Sequence, residues 1–382
     1  MNYKASVLTP LLVGDGQELS PIDYMVWKDQ VNVLDQARIF RLLSRGPRLD
    51  GYLAQLRKAG KLDFASWGGF AQNFSARRIP FEHASSTAIW EKTVAEFLFI
   101  PTFAANHQGP YLPGSALKGA LRTGLVASRW SSSTAEKLAS AAASERLGRR
   151  LSEHAETSAG AGQMRVVAAA DSAPIPKSAF KVFLTRVANL DGRAGQPRQI
   201  SWKVAGRGNV PTARIAESSP AFVEMATSGT AFEGAFFERA FLESEEMAKA
   251  LGWRSQPDLS LILGAANEFA AAQLAQHAKF AEAAALPRLQ QSAARLQEEL
   301  YSVQQTKDTC LLCLGWGGGF LSKSSFSDTT DANVQTLLRN VPAFGRALKS
   351  DLFPKTRRIV FSGGQPADFP GWVKIQFESS RS

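Results

Sequence analysis

The stretch GPYLPGSALKGALRTG, residues 109–124, holds the groups from which an anion site is built. Pro113-Gly114 predicts a tight turn, and Ser115 predicts the N-cap of a helix. Leu117, Leu121 and Leu125 recur every four residues and define its apolar stripe. Lys118 and Arg122 are also four apart and share another face, with Arg129 further along it. A glycine-led helix start with free backbone N–H groups and two cations behind it is suited to phosphate. A Walker loop is excluded, because Gly119 is followed by Ala120-Leu121 instead of Lys-Ser/Thr, and no G-x-G-x-x-G occurs. The plain alternative is a capped surface helix with ordinary cations.

Two further stretches suit the same ligand. Gly315, Trp316, Gly317, Gly318 and Gly319 place four glycines in five residues, followed by Lys323. Glycine costs backbone entropy on folding, so such a density predicts close approach of the backbone to a ligand, against the alternative of a simple turn. Between Lys177 and Arg214, eight cations face a single acid, Asp191. Within that segment Trp202 could stack on a base, while Arg193, Arg198, Lys203 and Arg207 could hold phosphates. The plain reading of a charge run is a solvated loop.

Other chemistries find little support. Cys310 and Cys313 form one C-x-x-C with no second pair to complete a zinc site. On a strand, residues three apart point to opposite faces. His83, His107, His154 and His277 are scattered, without paired metal-ligand spacing. No metal and no cofactor is expected.

The whole chain frames these motifs. It has 382 residues, 45% of them hydrophobic, enough for two domains with real cores. The net charge of +10 and the pI of about 9.7 favour an anionic partner, nucleic acid before membrane surface. No apolar run approaches a membrane span, and the first residues lack signal-peptide character. Two cysteines in so long a chain suit a reducing compartment, so a cytoplasmic location is expected.

The elements that must position the motifs read as follows. Strands are predicted at 7–13 and across 24–34, the latter with a turn at Lys28-Asp29, and a helix at 36–44 with Ile39, Leu42 and Leu43 inward. Residues 46–85 suggest a small helical insertion, 94–103 a strand, and 131–163 an exposed helix followed by a linker. Strands are expected again at 165–170, 230–242 and 309–314, broken at Asp171-Ser172-Ala173-Pro174. Residues 259–305 form a helical hairpin broken near Pro287, and a helix near 334–338 precedes closing strands at 358–361 and 372–377. Interleaved strands and helices imply an α+β fold with one small sheet per half, best arranged as β-α-β-β-α-β.

Three stretches together carry a family resemblance: LTPLLVGDGQELSPIDYMVW (8–27), YLPGSALKGALRTGL (111–125) and CLGWGGGFLSKS (313–324). They resemble the RAMP proteins of type III CRISPR effector complexes. Gly14-Asp15-Gly16 with Ser20-Pro21-Ile22-Asp23-Tyr24 is most similar to the type III-A (Csm) subfamily, and within it to the fifth subunit. The resemblance implies two ferredoxin-like (RRM-like) domains. The first spans 1–164 with an insertion near 46–85. The second spans 165–382 with a basic thumb-like hairpin near 177–214 and a helical insertion near 259–305.

The resemblance also implies a non-catalytic scaffold that binds CRISPR RNA (crRNA) near its 3′ end and caps the filament of backbone RAMP subunits. Its partners would be crRNA, target RNA, the backbone subunits and the small subunit, with no membrane. It places the RNA path along Gly114, Ser115, Lys118 and Arg122, and along Gly315 through Lys323. Because backbone relatives cut target RNA with a loop aspartate and a divalent metal, Asp23 is the candidate for that alternative, against a plain turn role. A metal-independent processing nuclease would need an acid/base near the RNA, for which His107 and Tyr111 are the nearby residues.

Overall fold

The computed structural model describes residues 1–62, 73–130, 136, 161–192, 198–206, 210–253, 257–326, 331–339 and 353–378. Its strands are β1 (Asn2–Val7), β2 (Glu18–Leu19), β3 (Tyr24–Trp27), β4 (Gln30–Leu34), β5 (Ser75–Pro80), β6 (Ile100–Pro101), β7 (Val167–Ala169) and β8 (Phe180–Asp191). They continue with β9 (Gln199–Trp202), β10 (Ala221–Ala226), β11 (Ala231–Glu238), β12 (Thr309–Cys313), β13 (Thr356–Ser362), β14 (Gln365–Asp368) and β15 (Trp372–Glu378). The helices are α1 (Gln36–Leu43), α2 (Leu49–Lys58), α3 (Ser85–Lys92), α4 (Gly114–Ser128), α5 (Glu245–Ala250), α6 (Leu259–Ala283), α7 (Pro287–Gln304), α8 (Gly319–Lys323) and α9 (Ala332–Arg339). The fold is α+β, with antiparallel sheets.

β1 alternates between solvent and core, burying Tyr3, Ala5 and Val7. It is the centre of a five-stranded sheet in the order β12-β15-β1-β11-β7. Asn2 lies opposite both Ala235 and Glu378, so this sheet takes strands from both sides of the 164/165 boundary. The strand expected at 7–13 is instead this earlier one. Pro10 has no N–H to extend a ladder, and residues 8–13 cross between sheets, touching the second at the Leu11–Ala226 bridge.

The second sheet runs β10-β8-β13-β14, and β9 pairs with the end of β8. β8 and β9 pair as an antiparallel hairpin, and Arg193 and Arg207 lie outside the described residues. The basic segment is therefore part central strand and part hairpin.

A third, three-stranded sheet joins β3, β4 and β5. Lys28 and Asp29 both have positive φ, 49° and 58°, as a two-residue hairpin turn requires. The insertion at 46–85 contributes α2 but also β5, so it is not purely helical. Arg77 of β5 ion-pairs with Glu224 of β10, tying this sheet to the second. Burial pushes the Glu224 carboxyl up, opposed by the Arg77 charge. In α1, Ile39 and Leu43 face inward as expected, whereas Leu42 is exposed. The strand expected at 94–103 is a 3-10 turn (Ala95–Phe97) followed by two-residue β6, where Pro101 ends the ladder.

Helix α4 buries the Leu117, Leu121 and Leu125 stripe, and Gly124 lets it approach α6 so closely that a Cβ would lie 2.8 Å from the Ala266 Cα. Pro287 stands at the first turn of α7, where its missing N–H costs nothing, and separates α6 from α7. One core gathers α4, α6 and the first sheet; another gathers α7 and the second sheet. Among the described residues, no helix is long and apolar enough to cross a membrane.

Candidate nucleic-acid interface

The three motif stretches meet around one cleft of about 720 Å³. Its first wall is the loop through Gly14, Gly16 and Gln17, fixed where Thr102 N–H donates to the Gln17 carbonyl at 3.1 Å. The second wall is the outer face of α4, with Ser115, Gly119 and Thr123 at helical spacing. The third is Gly315, Trp316 and Lys323. Backbone bonds join the walls: Trp316 N–H donates to the Leu12 carbonyl at 2.8 Å and Ala104 N–H to the Val13 carbonyl at 2.9 Å. Lys323 is exposed and, among the described residues, is the one cation in the lining, which also holds one acid, Glu18.

The glycines divide into two kinds. A Cβ on Gly315 would overlap the Leu12 carbonyl oxygen, on Gly317 it would lie 2.6 Å from Pro370, and on Gly318 it would overlap Ser322. The loop's own packing accounts for these three glycines. Gly16, Gly119 and Gly319 differ, because nothing lies within 4 Å of the position a Cβ would take. Gly119 is exposed in mid-helix, where glycine is unfavourable by about 1 kcal/mol relative to alanine.

The helix start also differs from expectation. Pro113, in extended conformation, holds the N-cap position, so Ser115 lies inside the helix with its side chain exposed on the cleft wall. Gly114 N–H donates to the Asp171 Oδ1 at 2.8 Å, so a carboxylate already answers the positive helix end. Asp171 arrives from the break after β7, a long-range placement with no local trace. Lys118 donates from Nζ to the Val167 carbonyl at 2.7 Å and holds β7 against α4. Burial, reinforced by Arg239, draws its ammonium below the ordinary lysine value. Neither Lys118 nor half-buried Arg122 lines the cleft.

In the hairpin, Trp202 is only 1% exposed and packs on Phe361 with ring centroids 5.9 Å apart. It is a core residue and cannot stack on a base, because its side of β9 faces the sheet's interior. Arg198 and Lys203 are exposed. Arg186 is buried, donating to the Ser218 carbonyl and, at 2.7 Å, to its hydroxyl.

The residues considered for cleavage lie apart from the cleft walls. Asp23 accepts from the Ser20 N–H at 2.7 Å and the Ser20 hydroxyl at 2.6 Å, the geometry of a turn carboxylate. His107 is exposed on the turn held by Asn106, and Tyr111 follows it, half-buried. Cys310 and Cys313 sit on opposite faces of β12, each in a different core. Burial pushes the Cys313 thiol up to about 11 and that of Cys310 higher still, so both remain protonated near neutral pH. Among the described residues, no three or more His, Cys, Asp or Glu side chains cluster as metal ligands.

Comparison with known proteins gives a family and a fold. A family model described as "RAMP superfamily" matches residues 4–191. Comparison with curated proteins finds no match. Among solved structures, a chain of the "Csm-crRNA-target RNA ternary complex in type III-A CRISPR-Cas system" is similar at TM-score 0.62 and 19% identity, over 98% of this chain and 100% of that one. The crystal structure of T. onnurineus Csm5 is similar at TM-score 0.55 and 19% identity, over 97% and 99% of the two chains. At that identity the likeness is one of fold.

Proposed function

The chain belongs to the RAMP superfamily through residues 4–191, and from that premise we propose that it is a non-catalytic, crRNA-binding scaffold subunit of a type III-A CRISPR effector complex. The reading extends to a Csm5-like role: capping the backbone filament at the crRNA 3′ end, supporting crRNA maturation, and meeting target RNA, backbone subunits and small subunit within the complex. Likeness over nearly full length to a chain of a Csm–crRNA–target RNA complex and to Csm5 supports it. So does the order β15-β1-β11-β7, with α4 after β1 and α6 after β11, which suits a β-α-β-β-α-β unit.

One observation carries the proposal: three stretches far apart in sequence converge on a single cleft whose open backbone positions and Lys323 suit a sugar-phosphate strand. Affinity would come from phosphate contacts, with sequence left to guide–target pairing. The engagement of the Asp23 carboxylate by Ser20 favours the scaffold over a metal-dependent slicer.

Purified full-length chain incubated with repeat-derived RNA is the test. Intact RNA in both Mg²⁺ and EDTA is expected, with binding that weakens by about 0.7 log units per phosphate contact for each tenfold rise in salt. Cleavage in EDTA would instead identify a processing nuclease, and Mg²⁺-dependent cleavage lost on Asp23→Ala a slicer. Salt-independent binding would remove the phosphate interface.

A further inference from the structure

Beyond the glycine loop lies a second cleft, of about 510 Å³, which shares Trp316 with the first. Lys203, Lys355, Arg357 and Arg358 line it, and no Asp or Glu does. Lys203 is exposed at the end of the β8–β9 hairpin. Lys355 is paired at 3.2 Å with Asp191, which does not line the cleft.

The two arginines open β13, where successive side chains diverge. Arg357 is buried: its guanidinium donates to the Pro354 and Thr356 carbonyls at 2.7 and 2.9 Å and to Nδ1 of His277 at 3.3 Å. His277 is held neutral by its own burial and by the Arg357 charge, so it adds no like charge beside the guanidinium. Arg358 lies 4.1 Å from the centre of the Trp316 ring and donates to the Thr185 hydroxyl at 3.4 Å. Among the described residues, neither guanidinium is paired with a carboxylate. Burial draws both below the ordinary arginine value, Arg357 to about 9. Withdrawing cations from water without an opposite charge is costly, and an anion entering this cleft would offset that cost.

We infer that the second cleft seats an internal phosphodiester of the bound RNA, so that one strand straddles the glycine loop with phosphates on both sides. The inference rests on the RNA-binding reading of the first cleft. Gly319 is exposed on the loop with open space about it, and Trp316, which lines both clefts, stands at the crossing point.

Binding of a labelled single-stranded RNA to full-length chain tests this across a salt series. The Lys203→Ala/Lys355→Ala double variant removes two reachable charges while leaving the buried arginines in place. Its affinity is expected to fall about tenfold, its salt slope to drop by about 0.7, the value for one phosphate contact, and its melting temperature to stay within a few degrees of the parent. An unchanged slope overturns the inference. If Gly119→Trp, which blocks the first cleft, still weakens binding about a hundredfold in that case, the RNA-binding reading survives alone; if neither variant matters, both fall. RNAs ending in a 3′-hydroxyl or a 3′-phosphate are expected to respond alike. A lysine effect confined to the phosphate-ended RNA would assign the cleft to a terminus and overturn the straddling path.

Discussion

Replacing Gly119 with tryptophan is expected to weaken RNA binding about a hundredfold while the chain remains folded. Gly119 lies on α4 between Ser115 and Thr123, on the face that walls the first cleft. No atom lies within 4 Å of the position a Cβ would take, so the fold does not require glycine there. Helix propensity argues against it, since alanine at this position should stabilise the helix by about 0.5–1 kcal/mol. An indole would fill space that the proposed sugar-phosphate strand needs, and a hundredfold loss corresponds to about 2.7 kcal/mol. Thermal melting and RNA binding measured on Gly119→Ala and Gly119→Trp separate fold from ligand. Unchanged affinity in the tryptophan variant would mean that RNA does not enter this cleft.

Gly315→Ala should do the opposite, destabilising the protein by about 3–6 kcal/mol. Gly315 has φ of 69°, which costs an alanine about 1–2 kcal/mol. Its Cβ would also overlap the Leu12 carbonyl oxygen, which accepts the Trp316 N–H at 2.8 Å. Relieving that overlap displaces the bond joining two cleft walls, adding about 1–3 kcal/mol of strain and about 1 kcal/mol of lost hydrogen bonding. Denaturant unfolding would read the loss. Wild-type stability in this variant would show that the loop's glycines do not serve its packing.

Much of the local structure was legible. Alternation across Tyr24–Leu34 and the turn at Lys28-Asp29 specify a hairpin, and the four-residue leucine spacing specifies α4, because both signals lie within one element. Partnering was not legible. Nothing near Asn2 encodes its place opposite Glu378, because a sequence pattern carries no record of which strands pair across the chain.

The site was legible in its residues more than in their roles. The three stretches are recognisable, but residue type alone does not separate the cations left on the surface from those the fold uses internally. Lys118 is spent on the Val167 carbonyl of β7 and Arg186 on the Ser218 carbonyl, partners that only the fold supplies, and Trp202 sits on the inner side of β9. Lys355 and Arg357 precede the strand expected at 358–361 and Arg358 opens it, so strand composition alone gives no sign of an anion site. The run Lys355-Thr356-Arg357-Arg358, without an acid, was the signal.

The central claim is that RNA lies where the three motif stretches converge, and photo-crosslinking tests it most directly. A 4-thiouridine-substituted crRNA assembled with the full chain, then digested and sequenced by mass spectrometry, is expected to give adducts within residues 14–18, 115–123 and 316–323. Adducts confined to surfaces away from both clefts, with none in these three segments, would contradict it.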